Sequence, residues 1–301
     1  MNNHNRREFL KRLTYVGGGF LAFGAFSEGF SEVCEKKGSK MKFGLVTYLW
    51  GKDWGLAELI GNCEKAGIPG VELRTEHAHG VESTLSARQR TDVRKLFSDS
   101  KVELVGLGTN FSFHYADPEQ VKKDIEGAKE YIKLSYDVGG SGVKVKPNDL
   151  PTEVPKEKTI EQIGRSLNKL GAFGADYGQE IRLELHGQCS ELPTIKAIMD
   201  VVEHPNVGVC WNSNPEDLKG EGLEYNFNSV KEHFGDTVHV RELNVGPYPY
   251  QELMRLFVDM DYSGWILLEA RTEPEDRVKA LVEQRELWKK MVCKAQQGNE
   301  R

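Results

Sequence analysis

Two short stretches decide the fold that this sequence predicts: Trp265–Glu269 (WILLE) and Ile181–His186 (IRLELH). Each contains the apolar residues typical of a buried β-strand, and each carries charged side chains at or near its C-terminal end. Burying a carboxylate costs free energy unless it has a partner, so such residues usually belong to a site rather than to a core. Glu184 and Glu269 are therefore the first candidates for functional residues.

The same kind of stretch recurs along the chain on both sides of these two. From Met41 onward, short β-branched runs alternate with longer amphipathic segments, which is typical of repeated strand and helix units around a parallel sheet. The predicted strands span residues 42–48, 70–74, 102–109, 142–146, 181–186, 207–212, 237–243 and 265–269. The helical patterns that follow them span residues 56–65, 86–98, 118–138, 157–177, 193–202, 225–234, 249–260 and 274–293.

Eight such units predict an α/β fold, a single-domain (β/α)8 TIM barrel over residues 41–295. The rival is an open doubly wound sheet, which would place a glycine-rich nucleotide-binding loop directly after the first strand. The chain has Tyr48–Lys52 (YLWGK) there, while Gly139–Gly142 precedes a strand and is typical of a helix-to-strand turn. The pattern therefore favours the barrel.

The first 35 residues differ from the rest. Arg6–Lys11 (RREFLK) is followed by a glycine-rich apolar stretch, Leu13–Phe26, that is too short and too weakly hydrophobic for a stable membrane span. This arrangement predicts a twin-arginine export signal over residues 1–35, a transient encounter with the export machinery, and a periplasmic location. The alternative is a lipid anchor on Cys34, which Val33 disfavours because a small residue is expected before a lipidated cysteine.

Composition excludes several classes of protein. The 301 residues are 39% hydrophobic and 29% charged with a net charge of -6, which describes a globular protein and leaves no basic stripe for nucleic acid. The remaining cysteines lie far apart without metal-binding spacing, so we expect buried small side chains rather than disulfides. They are Cys63, Cys189, Cys210 and Cys293. Whether the chain forms a homo-oligomer stays open.

Polar side chains are expected at one mouth of this barrel. Alternate residues of a strand share a face, and polar residues at the C-terminal strand ends of a TIM barrel are typically functional. The candidates are Lys144 and Lys146, Glu184 and His186, Asn212, His239 or Arg241, and Glu269. For the two lysines, a solvated rim position and binding of a substrate oxygen are both open, whereas Glu72 and Arg74 are expected to form a framework ion pair. The structural alternative for Glu184 and Glu269 is an ion pair with Arg241 or Arg271.

Four motifs carry a resemblance to a known family. They are LELHG (Leu183–Gly187), VCWN (Val209–Asn212), VHV (Val238–Val240) and YSGWILLE (Tyr262–Glu269). With the eight repeats, the chain resembles the xylose-isomerase-like TIM barrels, the sugar phosphate isomerase and epimerase group, over Lys42 to Cys293. The resemblance implies a divalent ion held by a glutamate on strand five, an aspartate on strand six, a histidine on strand seven and a glutamate on strand eight.

The resemblance assigns three residues directly. Glu184 and Glu269 match the two glutamates, and His186 matches a histidine that often contacts substrate in the family. The chain departs on strand six, where Asn212 stands at the aspartate position. It also departs on strand seven, where the predicted register puts Arg241 at the histidine position.

Two hypotheses account for these departures. In the first, the guanidinium of Arg241 replaces the ion and neutralises Glu184 and Glu269. In the second, His239 faces the mouth and completes a site with Glu184, Asn212 and Glu269 that holds Mn, Mg or Zn.

The implied activity is sugar isomerisation or epimerisation. Glu184 and Glu269 would move a proton next to a carbonyl through an enediolate, while His186, Arg241 and Lys146 bind the small carbohydrate substrate. Two alternatives stay open on the same fold. One is an exported lyase or hydrolase of keto-glycosides, and the other is a carbohydrate-binding barrel without catalysis.

Overall fold

The computed structural model describes residues 36–298, in which eight strands alternate with eight helices. The strands are β1 (Lys42–Val46), β2 (Gly70–Arg74), β3 (Glu103–Ser112), β4 (Gly142–Lys146), β5 (Glu180–Glu184), β6 (Val207–Cys210), β7 (Thr237–Val240) and β8 (Trp265–Leu268). The helices are α1 (Leu56–Ala66), α2 (Ala87–Ser98), α3 (Pro118–Val138), α4 (Lys156–Asp176), α5 (Leu192–Val201), α6 (Leu223–Val230), α7 (Tyr250–Asp259) and α8 (Arg277–Gly298).

The eight strands form one parallel sheet in the order β6-β5-β4-β3-β2-β1-β8-β7. Its two edges, β6 and β7, meet through a few backbone hydrogen bonds, which nearly close the sheet into a barrel. His239 donates its N–H to the carbonyl of Trp211 at 2.7 Å and accepts from the N–H of Ser213 at 3.2 Å. These bonds place Asn212 beside His239 as paired residues. The predicted (β/α)8 TIM barrel is confirmed.

Five strands end earlier than the sequence predicts: β1 at Val46, β8 at Leu268, and three others. β5 ends at Glu184, β6 at Cys210 and β7 at Val240, so His186, Asn212 and Arg241 lie just beyond the strands. After β5 the cause is local, because Gly187 adopts a left-handed conformation (φ 66°) and begins a short 3-10 turn. β3 instead runs three residues further than predicted, to Ser112, with its register against β4 broken after Gly108.

Part of the barrel interior is filled by a small apolar cluster. Val46, Val105, Trp265 and Leu267 form a buried group separate from the main core. The indole of Trp265 fits only because Gly70 stands opposite it, since a Cβ at that position would clash with the indole ring. The interior also holds the fully buried Arg182, which pairs with Glu180, whereas the candidate functional residues gather at the C-terminal ends of the strands.

The N-terminal predictions lie outside the described residues, namely the twin-arginine signal over residues 1–35 and the lipid anchor at Cys34. No helix within residues 36–298 is long and apolar enough to cross a membrane. The four cysteines described are free thiols. The expectation of burial is confirmed for Cys63, Cys189 and Cys210, and it is wrong for Cys293, which is exposed.

Two glycine-to-alanine substitutions test how tightly the interior is filled. Gly70→Ala should lower the free energy of unfolding by about 1–3 kcal/mol, because the new methyl group forces Trp265 to move. The control is Gly61→Ala in α1, where a Cβ would meet no atom within 4 Å. This substitution should raise the free energy of unfolding by up to about 1 kcal/mol, because alanine has the higher helix propensity. Urea unfolding measures both, and equal effects of the two substitutions would contradict the described packing.

Candidate functional site

The candidate site lies at the mouth, the end of the barrel formed by the C-terminal ends of the strands. Glu184 is the last residue of β5 and Glu269 follows β8, and both side chains are buried. One carboxylate oxygen from each, together with a ring nitrogen of His239, lie within 4.8 Å of one another. The barrel therefore brings together three side chains that are 30 to 85 residues apart in sequence.

A chain of buried charges runs through the barrel below this point. The Nζ of Lys144 lies 2.5 Å from Oε2 of Glu184, and the Nδ2 of Asn212 donates to Oε1 of Glu184 at 2.8 Å. His239 is placed between two carboxylates, with Nε2 3.2 Å from Oε1 of Glu72 and Nδ1 3.6 Å from Oε1 of Glu184. Lys144, Glu72 and His239 are all 0% exposed, so each charge must be balanced by its neighbours.

These contacts set the protonation of the buried groups. Burial alone would raise the pKa of Glu184, but the Lys144 ammonium and the His239 ring outweigh it and hold that pKa well below the usual range. Burial alone would lower the pKa of His239, but Cys210, Glu72 and Glu184 together raise it well above its usual value. These directions favour an ionised Glu184 and a protonated His239 while no metal ion is bound, since a histidine binds a metal ion in its neutral form.

Glu269 has looser partners at the rim of the mouth. Arg74 Nη1 lies 3.5 Å from its Oε1, and Arg271 Nη2 lies 3.6 Å from its Oε2. Arg74 also donates through Nη2 to Oδ1 of Asn110 at 3.0 Å. Both oxygens of Glu269 therefore remain free to approach a bound molecule more closely than those of Glu184 can.

Lys146 and His186 complete the polar lining of the mouth. The Nζ of Lys146 donates to Oδ1 of Asn110 at 2.9 Å. Burial, followed by the repulsion of the Lys144 ammonium, lowers the pKa of Lys146 to about 8. The Nδ1 of His186 lies 2.7 Å from Oδ1 of Asn148, and burial lowers the pKa of this imidazole. Lys146 is thus mostly cationic at neutral pH, and His186 is mostly neutral.

The prediction that Arg241 occupies the histidine position is wrong. β7 ends at Val240, so the residue of this strand that reaches the carboxylates is His239. Arg241 instead donates through Nη2 to Oδ1 of Asn214 at 3.2 Å. The cations nearest the two glutamates come from Lys144, Arg74 and Arg271, so the guanidinium of Arg241 does not neutralise them.

The residues at the mouth fit a divalent ion in donor type. Two carboxylates and an imidazole are ordinary ligands for Mn, Mg or Zn. Buried polar atoms without a hydrogen-bond partner also cluster here, namely Oδ1 of Asn212, both ring nitrogens of His239 and both carboxylate oxygens of Glu72. Such atoms are rare in folded proteins and call for a partner. Glu72 lies behind the His239 ring, where a carboxylate commonly orients a metal-bound histidine.

Lys144 opposes this fit in one respect. Its ammonium contacts Oε2 of Glu184 at 2.5 Å, so an ion bound at Glu184 would share that carboxylate with a positive charge. The site is therefore charge-balanced by the protein itself, and a bound ion would compete with Lys144 for Glu184.

Sequence reasoning missed several of these partnerships. Lys144 was expected at a solvated rim or on substrate, yet it is fully buried against Glu184. Glu72 was expected to pair with Arg74, but it faces His239, and Arg74 turns to Glu269. Asn110 lies one residue beyond the predicted end of β3, so the sequence does not mark it as a mouth residue. The sequence signal for Asn110 is its position two residues after Gly108, since alternate residues of a strand share a face.

Comparison with known proteins agrees with this architecture. The sequence profile of the xylose isomerase-like TIM barrel matches residues 60–214, just over half of the chain. No curated protein sequence matches the chain.

Several solved structures share the fold at low sequence identity. The 3-keto-D-glucoside 4-epimerase YcjR from E. coli aligns at 15% identity with a TM-score of 0.69, covering 83% of this chain and 100% of its own. An L-ribulose 3-epimerase aligns at 15% identity with a TM-score of 0.73, covering 86% and 97%. The IOLI protein with a bound zinc atom aligns at 18% identity with a TM-score of 0.69, covering 85% and 99%.

At these identities the structural likeness shows a shared fold, and the profile match carries the assignment to a family. The eight-unit barrel, the carboxylates at its mouth and the matched profile agree with one another. The chain belongs to the family of xylose isomerase-like TIM barrels.

Proposed function

We propose that this protein is a sugar isomerase or epimerase that moves a proton next to a carbonyl group. The observation that carries the proposal is the convergence of Glu184 and Glu269 with His239 at the mouth. Proton transfer at carbon needs a carboxylate on one side of the substrate, a proton donor on the other, and a cation near the developing enediolate oxygen. The fold of two sugar epimerases supports the same reaction class.

Different surroundings give the two glutamates different roles. Both oxygens of Glu184 receive donors at short distance, from Lys144 and Asn212, which makes this carboxylate a poor proton acceptor. Glu269 has partners only at 3.5 and 3.6 Å, so it is the better base. We assign to Glu269 the removal of the proton from carbon, which leaves the electron pair on the enediolate.

The remaining residues hold the substrate and return the proton. Lys146, whose ammonium has a pKa lowered to about 8, can pass a proton to the opposite face of the enediolate, while Glu184 stays ionised against Lys144. Lys146 supplies a positive charge for the enediolate oxygen, and His186 can donate to or accept from a hydroxyl group. Return of the proton to the neighbouring carbon, together with transfer of the hydroxyl proton between the two oxygens, gives isomerisation. Return to the other face of the same carbon gives epimerisation.

A divalent ion fits the same residues. Glu184, His239 and Glu269 would hold it, with the amide oxygen of Asn212 as a weaker fourth ligand. When bound, such an ion supplies a Lewis acid that polarises a carbonyl group. The zinc atom in the IOLI protein supports this proposal, because that protein shares the fold.

Solvent deuterium tests the proposed reaction. Wild-type protein in D2O should introduce deuterium next to the carbonyl of at least one sugar in a panel of ketopentoses and ketohexoses, followed by NMR. Glu269→Gln should lower the exchange rate by about 10²- to 10⁴-fold, because an amide cannot accept the proton. The matched control is Glu283→Gln on the exposed face of α8, which should exchange at the wild-type rate. Undiminished exchange in Glu269→Gln would rule out the assigned base.

Metal content tests the proposed ligands independently of activity. Protein purified without chelator should hold about one divalent ion per chain by mass spectrometry, and a chelator should lower Tm. His239→Gln should lose most of the ion, because it removes the imidazole ligand. A wild-type protein that takes up no Mn, Mg or Zn even when each is added would contradict the metal site and leave the carboxylate chemistry standing.

A further inference from the structure

A second cavity opens beside the catalytic carboxylates, between the loops that follow β6, β7 and β8. Its volume is about 300 Å³. We call it the loop pocket, and its defining walls are Pro215, Leu218, Arg241, Val245, Pro247 and Arg271. This volume lies at the lower end of the range that accommodates small-molecule ligands.

The loop pocket adjoins the mouth at Arg271. This side chain lines the pocket, and its Nη2 lies 3.6 Å from Oε2 of Glu269. Arg241, which also lines the pocket, follows His239 by two residues. A sugar ring that presents its reacting carbon to Glu269 would therefore direct a substituent past Arg271 into the pocket.

The walls select an apolar occupant. Leu218 is 38% exposed and Val245 is 50% exposed, and they are two of the five large hydrophobic side chains exposed within residues 36–298. Exposed apolar side chains that gather at one cavity, next to Pro215 and Pro247, are typical of a binding surface rather than of random scatter.

The charged groups of the loop pocket are already engaged. Arg271 faces Glu269, and Arg241 donates to Asn214. Oε1 of Glu242 accepts from the backbone N–H groups of Arg271 and Thr272. A charged ligand would compete with these partners, whereas a neutral ligand would leave them in place.

Arg241 adds a specific preference. Its Nε is buried and has no hydrogen-bond partner, so one N–H is available for a ligand oxygen. The flat guanidinium group also stacks well on an aromatic ring. A neutral ring joined through an oxygen satisfies both features.

The loop pocket is held in shape before any ligand binds. The hydroxyl of Tyr248 donates to Oδ2 of Asp217 at 2.6 Å, and the backbone N–H of Arg241 donates to the hydroxyl of Tyr250 at 3.1 Å. Preformed walls reduce the ordering cost of binding.

We propose that the loop pocket is an aglycone subsite, and that the substrate is an oxidised (keto) sugar carrying a neutral aromatic group through an oxygen atom, an aryl keto-glycoside. The sugar ring lies at Glu269 and Lys146, and the aromatic ring lies between Leu218, Val245 and the Arg241 guanidinium. The sugar half of this assignment rests on the proposed function, and the aromatic half rests on the pocket alone.

Two binding measurements test the subsite. Calorimetry compares two unreactive analogues, 4-nitrophenyl β-D-glucoside and methyl β-D-glucoside, and saturation-transfer NMR follows 4-nitrophenol alone at a pH low enough to keep its hydroxyl group protonated. The aryl glucoside should bind the wild-type protein about tenfold or more tightly than the methyl glucoside, because only its ring reaches the apolar walls. Val245→Asp should reduce that ratio to about one and abolish saturation transfer, since it puts a charge on the wall. Leu96→Asp, an exposed apolar residue on α2 outside the pocket, is the matched control and should keep both signals.

Each outcome decides the proposal. Any of three results would overturn it. They are equal affinity of the wild-type protein for the two glucosides, an affinity ratio that Val245→Asp leaves unchanged, and no saturation transfer to 4-nitrophenol. If neither glucoside binds, the 4-nitrophenol result decides alone. Deuterium exchange remains a separate test. Exchange into a free ketose without aromatic binding would support the proposed function and overturn the subsite. Aromatic binding without exchange would support the subsite and overturn the proposed function.

Discussion

The buried ion pair between Lys144 and Glu184 is the constraint on which the rest of the site depends. Their charged atoms are 2.5 Å apart, and the two side chains are 0% and 1% exposed. Taking either ion out of water alone costs several kcal/mol, so neither β4 nor β5 can bring its charge inside without the other. This mutual requirement holds the carboxylate ionised and aims it at the mouth. A carboxylate held this firmly orients its neighbours, and the removal of the proton from carbon is assigned to Glu269.

The seam of the barrel extends the same constraint to His239. The backbone hydrogen bonds that join the β6 end of the sheet to β7 involve His239, Trp211 and Ser213. The same bonds that close the barrel therefore also position the imidazole of His239. Glu72 then faces the ring from below, and Glu184 faces it from β5. Fold and site are coupled, because the hydrogen bonds that finish the sheet also fix the spacing of three ionisable groups. The loop pocket lies beyond this rigid part, where the loops after β6, β7 and β8 can vary without disturbing it.

Local patterns were enough to predict the architecture and the two glutamates. Alternating short apolar runs and amphipathic segments are properties of neighbouring residues, so eight units and the end positions of Glu184 and Glu269 are visible in the sequence. The end of a strand depends on hydrogen bonds to distant residues, which explains why β7 stops at Val240 and why His239, not Arg241, meets the carboxylates. The pairing of Lys144 with Glu184 is equally non-local, since it requires β4 and β5 to align with Lys144 beside Arg182.

A double-mutant cycle on Lys144 and Glu184 tests this account most directly. The free energy of unfolding is measured by urea titration for Lys144→Met, Glu184→Gln and the double variant, with the exposed pair Lys95 and Asp99 as a control cycle. The account predicts that each single change at the buried pair is strongly destabilising, by about 3 kcal/mol, because it leaves the other charge unpaired. The coupling energy should be about 2 kcal/mol or more, against less than about 1 kcal/mol for the control. Additive effects at Lys144 and Glu184 would contradict the claim that this pair holds the site together.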